Sequence, residues 1–425
     1  MRAGIDIGTS SVCVLTVDGA AENHVTVRND CVLDCSGFRR EQDARAIIDK
    51  TFRLLSDAVT EDIQSVGVTG QMHGVVYIDR NGEPVSPLYT WQDERAGEVY
   101  RDGLTYCEYL TKTSGHPVSP GYGLATHFYN LVNGLVPSDA VTFCAIHDLL
   151  VMRLTGRRTP IVHPSDAASF GFFDLEKRVF DADALRDCGM DPSFLPEVCG
   201  GEDIAGTYRG ADVFAAIGDN QASYLGSVGR DGGVLINVGT GSQVSAACPY
   251  KKDVPDGVEL RPYTGGGYLA VGAALCGGRA YADLERFFRA VLRDIGGVET
   301  ESVYAAMDAL TSSPLSCEPL DVSTRFCGTR ADPTERGYIK NLGEENFTPA
   351  ALCDGVLGGI AEELFGLYGK IETAFPGIGN RFVCSGNGVR KNEALRARLQ
   401  KRFGKEIPLT SHTEEAAYGA YLLTV

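Results

Sequence analysis

The sequence predicts an α/β fold of two domains, because one strand–turn–strand unit occurs twice in a long chain. The first copy contains Asp6-Ile7-Gly8-Thr9-Ser10-Ser11, and the second contains Asn237-Val238-Gly239-Thr240-Gly241-Ser242. Each copy lies between two short β-type stretches. At 425 residues the chain is too long for one ordinary hydrophobic core. Strands alternate with helical stretches elsewhere, which is typical of α/β layers.

The order of the predicted elements also repeats. Apolar spacing predicts three strands, a helix and a strand in the first part, and the same order again in the second part. We place the domains at residues 1–226 and 227–425, with a ligand-side subdomain within 75–212. The predicted strands are 3–7, 12–17, 24–28, 65–69, 233–238, 243–247, 267–271 and 381–384, and the predicted helices are 41–58, 280–292, 348–374, 391–403 and 414–423.

Composition narrows the class of protein. The hydrophobic share of 44% and the net charge of −17 are those of a globular protein whose main partner is neither nucleic acid nor an anionic membrane. No apolar run approaches the ~18 residues of a membrane span. The strand-like start of the chain predicts no signal peptide and a cytoplasmic location. The 13 cysteines are irregularly spaced, which favours reduced thiols over disulfides or a metal cluster.

The two glycine turns are candidate phosphate sites. Backbone N–H groups and hydroxyls of Gly8-Thr9-Ser10 and Gly239-Thr240-Gly241 can face an anion from two sides. Asp6 lies just before the first turn, where a carboxylate could orient a Mg²⁺ ion that bridges phosphates. The second turn has Asn237 at that place. The alternative interpretation is a pair of ordinary hairpins.

Asp219 is the candidate catalytic base. It stands in Gly218-Asp219-Asn220-Gln221-Ala222, directly after a short apolar run. A carboxylate at the end of a buried strand can accept a proton from a hydroxyl. The same residues could instead begin a helix with Asp219 as its cap, and the two roles are compatible.

Two polar segments are candidates for binding a polyol. The first contains Gln71, Met72 and His73, and the second contains the tryptophan of the chain, Trp91, with Asp93 and Arg95. Polar side chains at strand ends can bind hydroxyl groups, and an indole can form an apolar wall. The alternative is a buried histidine and a core tryptophan.

A further glycine-rich segment, Cys384-Ser385-Gly386-Asn387-Gly388, precedes a predicted helix, where a flat ring could lie against the backbone. Gly277-Gly278 is a weaker case of the same kind. The sequence has neither a P-loop nor a Gly-x-Gly-x-x-Gly motif, so the corresponding nucleotide-binding folds are disfavoured.

Together, these motifs in this order resemble the FGGY family of carbohydrate kinases, among the actin-like ATPases. The resemblance implies two ribonuclease H-like domains with a cleft between them, ATP and Mg²⁺ as cofactors, and a small sugar as substrate. It implies that Asp219 is the base, that both glycine turns hold phosphates, that Asp6 orients the metal, and that Asn220 contacts the sugar. The implied adenosine-side residues are Gly278, Gly386, Asn387 and Gly388.

Within the family, Gln71-Met72-His73 is similar to ketose kinases such as xylulose kinases. Thr90-Trp91-Gln92-Asp93, Gly121-Tyr122-Gly123, Asp166-Ala167-Ala168-Ser169 and Phe326-Cys327-Gly328-Thr329-Arg330 are closer to sedoheptulokinases. The chain has Ile146-His147-Asp148 where many members carry a lysine. We therefore expect a ketose kinase for sedoheptulose, with D-xylulose as the alternative substrate. An ATP-driven clamp and a non-catalytic sugar sensor are the rivals from other classes, and a homodimer is one option for the oligomeric state.

Overall fold

The computed structural model describes residues 1–59, 62–313, 315–329, 332 and 334–425; Arg330, in the last segment quoted above, lies outside them. The chain forms two compact units. The first unit comprises Met1–Arg230, Arg261–Gly267 and His412–Val425, and the second comprises Asp231–Leu260 and Tyr268–Ser411. The expected division at residue 226 is close to the first crossing, but the expected continuous second domain differs, because two later segments return to the first unit.

The first unit contains most of the secondary structure. Its strands are β1 (Arg2–Ile7), β2 (Ser11–Asp18), β3 (Ala21–Arg28), β4 (Glu41–Gln42), β5 (Ser65–Gly70), β6 (Val76–Asp79), β7 (Leu88–Tyr89), β8 (Val99–Arg101), β9 (Leu104–Thr105), β10 (Ala140–Cys144), β11 (Ile161–Val162), β12 (Phe173–Asp174), β13 (Val179–Phe180), β14 (Glu197–Val198), β15 (Ile204–Tyr208), β16 (Ala211–Phe214) and β17 (Ile217–Gly218). Its helices are α1 (Ala44–Ala58), α2 (Tyr106–Ser114), α3 (Gly123–Val132), α4 (Ile146–Thr155), α5 (Pro164–Phe170), α6 (Ala182–Asp187), α7 (Asp219–Val228) and, from the end of the chain, α13 (Glu415–Leu422).

The main sheet of the first unit brings three strand ends together. Its order is β15-β16-β5-β1-β2-β3, with β17 also paired to β5. β1 and β17 both run parallel to β5, and the register opposes Gly70 to Ile7 on one side and to Gly218 on the other. Because parallel strands end at the same edge, the residues that follow these three strands lie near one another.

Two large hydrophobic clusters lie in the first unit. One contains the apolar faces of β1, β2 and β5 with α1 and α4, including Ile5, Val68 and Leu149. The other is rich in aromatic side chains such as Phe143 and Phe170, and it holds the segment between β6 and β14. The expected subdomain within 75–212 therefore has a core of its own.

The second unit repeats the strand plan of the first. Its sheet order is β20-β21-β19-β18-β24, with β18 antiparallel to β19 and parallel to β24. β1, β2 and β5 have the same mutual directions as β18, β19 and β24, which confirms the predicted repeat. The strands are β18 (Val234–Val238), β19 (Ser242–Cys248), β20 (Val258–Pro262), β21 (Tyr268–Ala274), β22 (Asp321–Ser323), β23 (Tyr338–Lys340) and β24 (Phe382–Ser385), and the helices are α8 (Gly278–Asp294), α9 (Tyr304–Thr311), α10 (Pro349–Ala374), α11 (Asn387–Lys391) and α12 (Glu393–Phe403).

The C-terminal helix α13 packs against the sheet of the first unit and against α7. A Cβ atom on Gly4 or Gly67 would overlap backbone oxygens of α13, and one on Gly419 would overlap the carbonyl oxygen of Ala222 in α7. Glycine is therefore required where these backbones approach. None of the described helices combines the length and apolar character that a bilayer crossing needs. All 13 cysteines are described, and each is free.

Candidate active site

The turn between β1 and β2 presents its backbone to an anion. The N–H of Gly8 donates to the carbonyl of Ser11 at 2.9 Å, and the Asn29 side-chain amide donates to the carbonyl of Gly8 at 2.9 Å. Among the described residues, no acceptor takes the N–H groups of Thr9 and Ser10. A turn fixed from behind with two such donors suits phosphate.

Asp6 and Asp219 lie at the ends of β1 and β17, the two strands that pair with β5 from opposite sides. Asp6 lies one residue before the end of β1. Asp219 is the first residue of α7 and Gly218 is its N-cap, so the interpretation of Asp219 as the cap itself is wrong. Burial and the carboxylates of Asp219 and Glu414 raise the pKa of Asp6 to about 8, although His147 acts in the opposite direction. Its Oδ1 atom is buried without a hydrogen-bond partner in the described part of the chain.

The surroundings of Asp219 move its pKa toward neutral pH. Burial raises the pKa of Asp219 to about 6, and Asp166 adds to this effect. The cations His147 and Arg261, together with the N–H of Asn220, limit the rise. A carboxylate with such a pKa is largely ionised at neutral pH and can still accept a proton, as a general base requires.

A buried charged cluster lies behind these carboxylates. Nε2 of His147 is 3.0 Å from Oδ1 of Asp166, and both side chains are fully buried. Burial alone disfavours a charged imidazole, but Asp166 and Asp148 raise the pKa of His147 to about 9. The ligand atoms of these three residues lie within 4.8 Å of one another. The short distance between His147 and Asp166 favours an ion pair.

The helix α5 connects this cluster to the strand ends. The N–H of Gly218 donates to the hydroxyl of Ser165 at 3.0 Å, and that hydroxyl donates to Oδ2 of Asp166 at 3.2 Å. The residue before Asp219 is thus tied to the partner of His147.

His73 is held in an uncommon conformation beside the same edge. Its φ of 69° lies in the left-handed region, which a residue with a side chain adopts only where contacts impose it. Its N–H donates to the Ser169 hydroxyl at 3.1 Å, and its ring Nδ1 lies 2.8 Å from the Ser169 carbonyl oxygen. Because a carbonyl only accepts, Nδ1 carries the proton. The ring stacks on Tyr122 at 4.8 Å.

Met72, Trp91 and Asn220 are the other predicted sugar-side residues near these ends. A Cβ on Gly218 would collide with the sulfur of Met72, so the two lie in contact. The side-chain oxygen of Asn220 accepts from Nη1 of Arg261 at 2.9 Å. Trp91 is 47% exposed, and its indole N–H donates to the hydroxyl of Thr9 at 2.9 Å.

Asp93 and Arg95 are placed differently from the expectation of direct sugar contact. They form a two-point ion pair, with Nε to Oδ1 at 2.7 Å and Nη2 to Oδ2 at 3.0 Å. Arg95 also donates to Asn130 and to Glu41, each at 2.7 Å. Arg95 is 2% exposed and Asp93 is fully buried. Their polar atoms are committed to the protein, which favours a supporting role for both.

Gln71 is likewise enclosed. Its side-chain amide donates to Oε1 of Gln42 at 2.9 Å, and its Oε1 accepts from the hydroxyl of Thr9 at 3.3 Å. Gln71 therefore braces the first glycine turn.

Backbone hydrogen bonds between glycines fix the second glycine turn. The N–H groups of Gly239 and Gly278 donate to the carbonyls of Gly241 and Gly239, both at 2.9 Å. Gly386 has a φ of 91°, and a Cβ on Gly386 or Gly388 would strike the backbone of Val238. The glycines at the end of β24 are thus required by the neighbouring strand β18, in addition to any role toward a flat ring.

A large cavity of about 1270 Å³ opens beside this turn in the second unit. Tyr281 and Tyr304 form part of its wall, with their ring centroids 6.2 Å apart. Leu357, Ile360 and Leu395 contribute apolar surface. Polar and apolar side chains share its wall, as is usual for a site that binds a small molecule. Six of the seven nucleotide-side residues predicted in this unit line it, namely Gly239, Thr240, Gly278, Gly386, Asn387 and Gly388; Gly241 does not.

Several residues of these sites did not come from motif analysis. His147, Asp166 and Ser169 stood only in segments that indicated the family, and nothing in the sequence joined them. Arg261 and Gln42 carry no motif at all. Only the folded chain brings these side chains to the strand ends.

Comparison with known proteins gives the family. Residues 1–226 match the FGGY family of carbohydrate kinases, N-terminal domain. The sedoheptulokinases of Mus musculus and Homo sapiens are 27% and 26% identical, and each alignment covers 99% of this chain and 96% of the relative. The crystal structure of xylulose kinase from Rhodospirillum rubrum, 22% identical, has a TM-score of 0.83 over 100% of this chain and 89% of its own, and this likeness confirms the expected fold class. The chain belongs to the FGGY family of carbohydrate kinases.

Proposed function

We propose that this chain transfers the γ-phosphoryl group of ATP to the terminal hydroxyl of a ketose, with sedoheptulose as the preferred substrate. The observation that carries the proposal is Asp219, at the end of β17 with a pKa of about 6, among strand ends that also bear Asp6 and the first glycine turn. The nearly full-length similarity to two sedoheptulokinases supports the choice of sugar.

In the proposed reaction, Asp219 accepts the proton of the sugar hydroxyl while that oxygen bonds to the γ-phosphorus and ADP leaves. Phosphoryl transfer needs positioning and charge neutralisation more than covalent help from the protein. The N–H groups of Thr9 and Ser10 would stabilise phosphate oxygens. The ring of His73 and the indole of Trp91 would hold the sugar.

The residues fit a Mg²⁺ ion beside Asp6. Its buried Oδ1 has no partner among the described residues, and nearby carboxylates leave the locality short of positive charge. A divalent ion bound there would neutralise phosphate charge. Asp6 would orient it, and a cytoplasmic location is part of the same proposal.

D-xylulose is the second candidate substrate, because the xylulose kinase of Streptomyces coelicolor is 29% identical over 60% of this chain and 56% of its own length. A clamp or a sugar sensor would need no base at position 219. The presence of Asp219 and of the polar residues around His73 favours a kinase over both.

The test measures ADP release from Mg-ATP in the presence of sedoheptulose, xylulose, ribulose, fructose, glycerol or gluconate, and in a control without any of them. ³¹P NMR then locates the new phosphate on the product. We expect the highest kcat/KM with sedoheptulose. Asp219→Asn should lose roughly 10²–10⁴-fold in turnover while still binding ADP. Asp212→Asn, an exposed aspartate on β16, is the matched control and should behave as wild type. ADP release that no sugar stimulates would contradict the kinase.

A further inference from the structure

The hydroxyl of Thr9 is not available to a ligand, although it stands in the first phosphate turn. It accepts from the indole N–H of Trp91 at 2.9 Å and donates to Oε1 of Gln71 at 3.3 Å. These two bonds use its one proton and place a donor on its oxygen. Thr9 can therefore meet phosphate only through its backbone N–H, because its side chain faces the protein.

These bonds belong to a closed ring. The amide of Gln71 donates to Oε1 of Gln42 at 2.9 Å, and the amide of Gln42 donates to the carbonyl oxygen of Thr9 at 2.9 Å. The ring thus leaves Thr9 through its hydroxyl and returns to it through its carbonyl. Gln42 and Gln71 are each 2% exposed, so water does not compete strongly for these bonds. Thr9, Gln71 and Gln42 close this ring, and Trp91 is attached to it through its indole N–H. We call these four residues together the Thr9 ring.

Trp91 is the member of the Thr9 ring that a ligand can reach. Its side chain is about half exposed, yet its backbone is fixed, because Gly121 lies so close that a Cβ there would overlap the carbonyl oxygen of Trp91. The indole ring is thus exposed while the backbone of Trp91 is closely packed, and the indole N–H points at the first glycine turn. A sugar that packs on the indole ring would restrict the motion of the indole. Through the hydrogen bond it would also restrict the motion of Thr9.

We propose that Trp91 is a positioning residue for the first phosphate turn, and that its hydrogen bond to Thr9 couples occupancy of the sugar side to the placement of the nucleotide phosphates. This inference rests on the proposed function for the identity of the two ligands. It assigns the indole N–H a role separate from the apolar contact that its ring offers a sugar.

Three variants separate these roles. Trp91→Phe keeps a flat apolar ring and removes the N–H donor. Thr9→Val removes the hydroxyl at nearly constant shape, and Thr9→Ser retains it. We expect Trp91→Phe to weaken binding of a non-hydrolysable ATP analogue about 3- to 10-fold in calorimetry, as the loss of one neutral hydrogen bond implies. Thr9→Val also loses the bond to Gln71, so it should weaken this binding at least as much. We expect the double variant to be no worse than Thr9→Val alone, and Thr9→Ser to resemble wild type.

Steady-state kinetics give the second measurement. In Trp91→Phe, KM for ATP should rise by the same factor at saturating sugar. We expect sugar to tighten binding of the ATP analogue in wild type and to lose this effect in Trp91→Phe. A change confined to KM for the sugar would overturn the proposal, and so would effects of the two single variants that multiply in the double variant.

The outcome is distinguishable from failure of the proposed function. If wild type phosphorylates no sugar, the function is wrong, yet the affinities for the ATP analogue still test the contact between Trp91 and Thr9. An unchanged affinity in both single variants overturns the inference even if the enzyme phosphorylates sedoheptulose. The sole tryptophan of the chain also reports directly: its fluorescence in wild type should change when sugar binds.

Discussion

At the scale of single residues, the strand ends of the first unit concentrate carboxylates around few cations. Asp6 and Asp219 both have raised pKa values, and the carboxylates of Asp166 and Asp148 raise the pKa of His147 as well. Groups whose proton affinities are moved toward neutrality mark sites of chemistry. The same crowding makes the buried cation important for stability.

The pKa of Asp219 predicts the acid limb of the pH profile. A general base must be ionised, and kcat/KM for the sugar reports the base before the sugar binds. This ratio should be constant well above pH 6 and fall about tenfold per unit below it. Because phosphate groups titrate in the same range, the profile is measured at saturating ATP and varied sugar for wild type and Asp219→Glu. If the acid limb reports ionisation of residue 219, its midpoint should shift in Asp219→Glu. An identical limb in both enzymes would assign it to the substrate.

Removal of the imidazole of His147 should destabilise the first unit. His147→Gln leaves Asp166 and Asp148 buried without their cation, and breaking such a pair costs about 3–5 kcal/mol. Urea unfolding followed by Trp91 fluorescence measures this unit, which contains the only tryptophan. His24→Gln, on the exposed strand β3, is the control and should change little. A His147 variant as stable as wild type would refute the ion pair as a stabilising element.

At the scale of elements, the glycines at the contacts of α13 are required because two backbones approach closely there, and not because the chain must be flexible. α13 lies so near to α7 and to β1 that Gly4 and Gly419 have no room for a methyl group. The strand–turn–strand repeat could be predicted because alternating apolar residues and Gly-Thr turns are local signals. The contact between α7 and α13 could not, since these helices are far apart in the sequence.

Gly419→Ala tests this contact. The new methyl group would overlap the carbonyl of Ala222, and such overpacking should cost roughly 3 kcal/mol or more, at the upper end of measured cases. Gly369→Ala is the matched control: Gly369 lies within α10 with open space around it, so alanine should be neutral or stabilising by about 0.5–1 kcal/mol. Thermal unfolding of both variants gives the comparison. Equal midpoints would show that α7 and α13 can separate at no cost.

At the scale of the whole molecule, the end of the chain belongs to the unit in which the chain begins. Residues 412–425 return to the first unit, although the expected second domain ran to residue 425. Loss of this segment would uncover the glycine faces of β1, β5 and α7. The fold of the first unit therefore depends on residues 412–425 as well as on residues 1–230.

A chain that ends at Ser411 should consequently fail to fold its first unit. We expect low soluble yield and a Trp91 emission spectrum like that in denaturant. A chain that ends at Thr424 is the control, because it loses only the exposed Val425. A native emission spectrum and normal yield for the shorter chain would show that α13 is dispensable.

Local patterns in the sequence were sufficient for the two turns, the repeated strand order and the glycines that line the cavity of the second unit, because each rests on neighbouring residues. Folding decided how the polar side chains are used. Asp93, Arg95, Gln71 and the hydroxyl of Thr9 resembled ligand groups but are bound by the protein, and His147 became the central cation. Such assignments depend on partners up to 82 positions away, as for Thr9 and Trp91, and no local spacing encodes the meeting of distant residues.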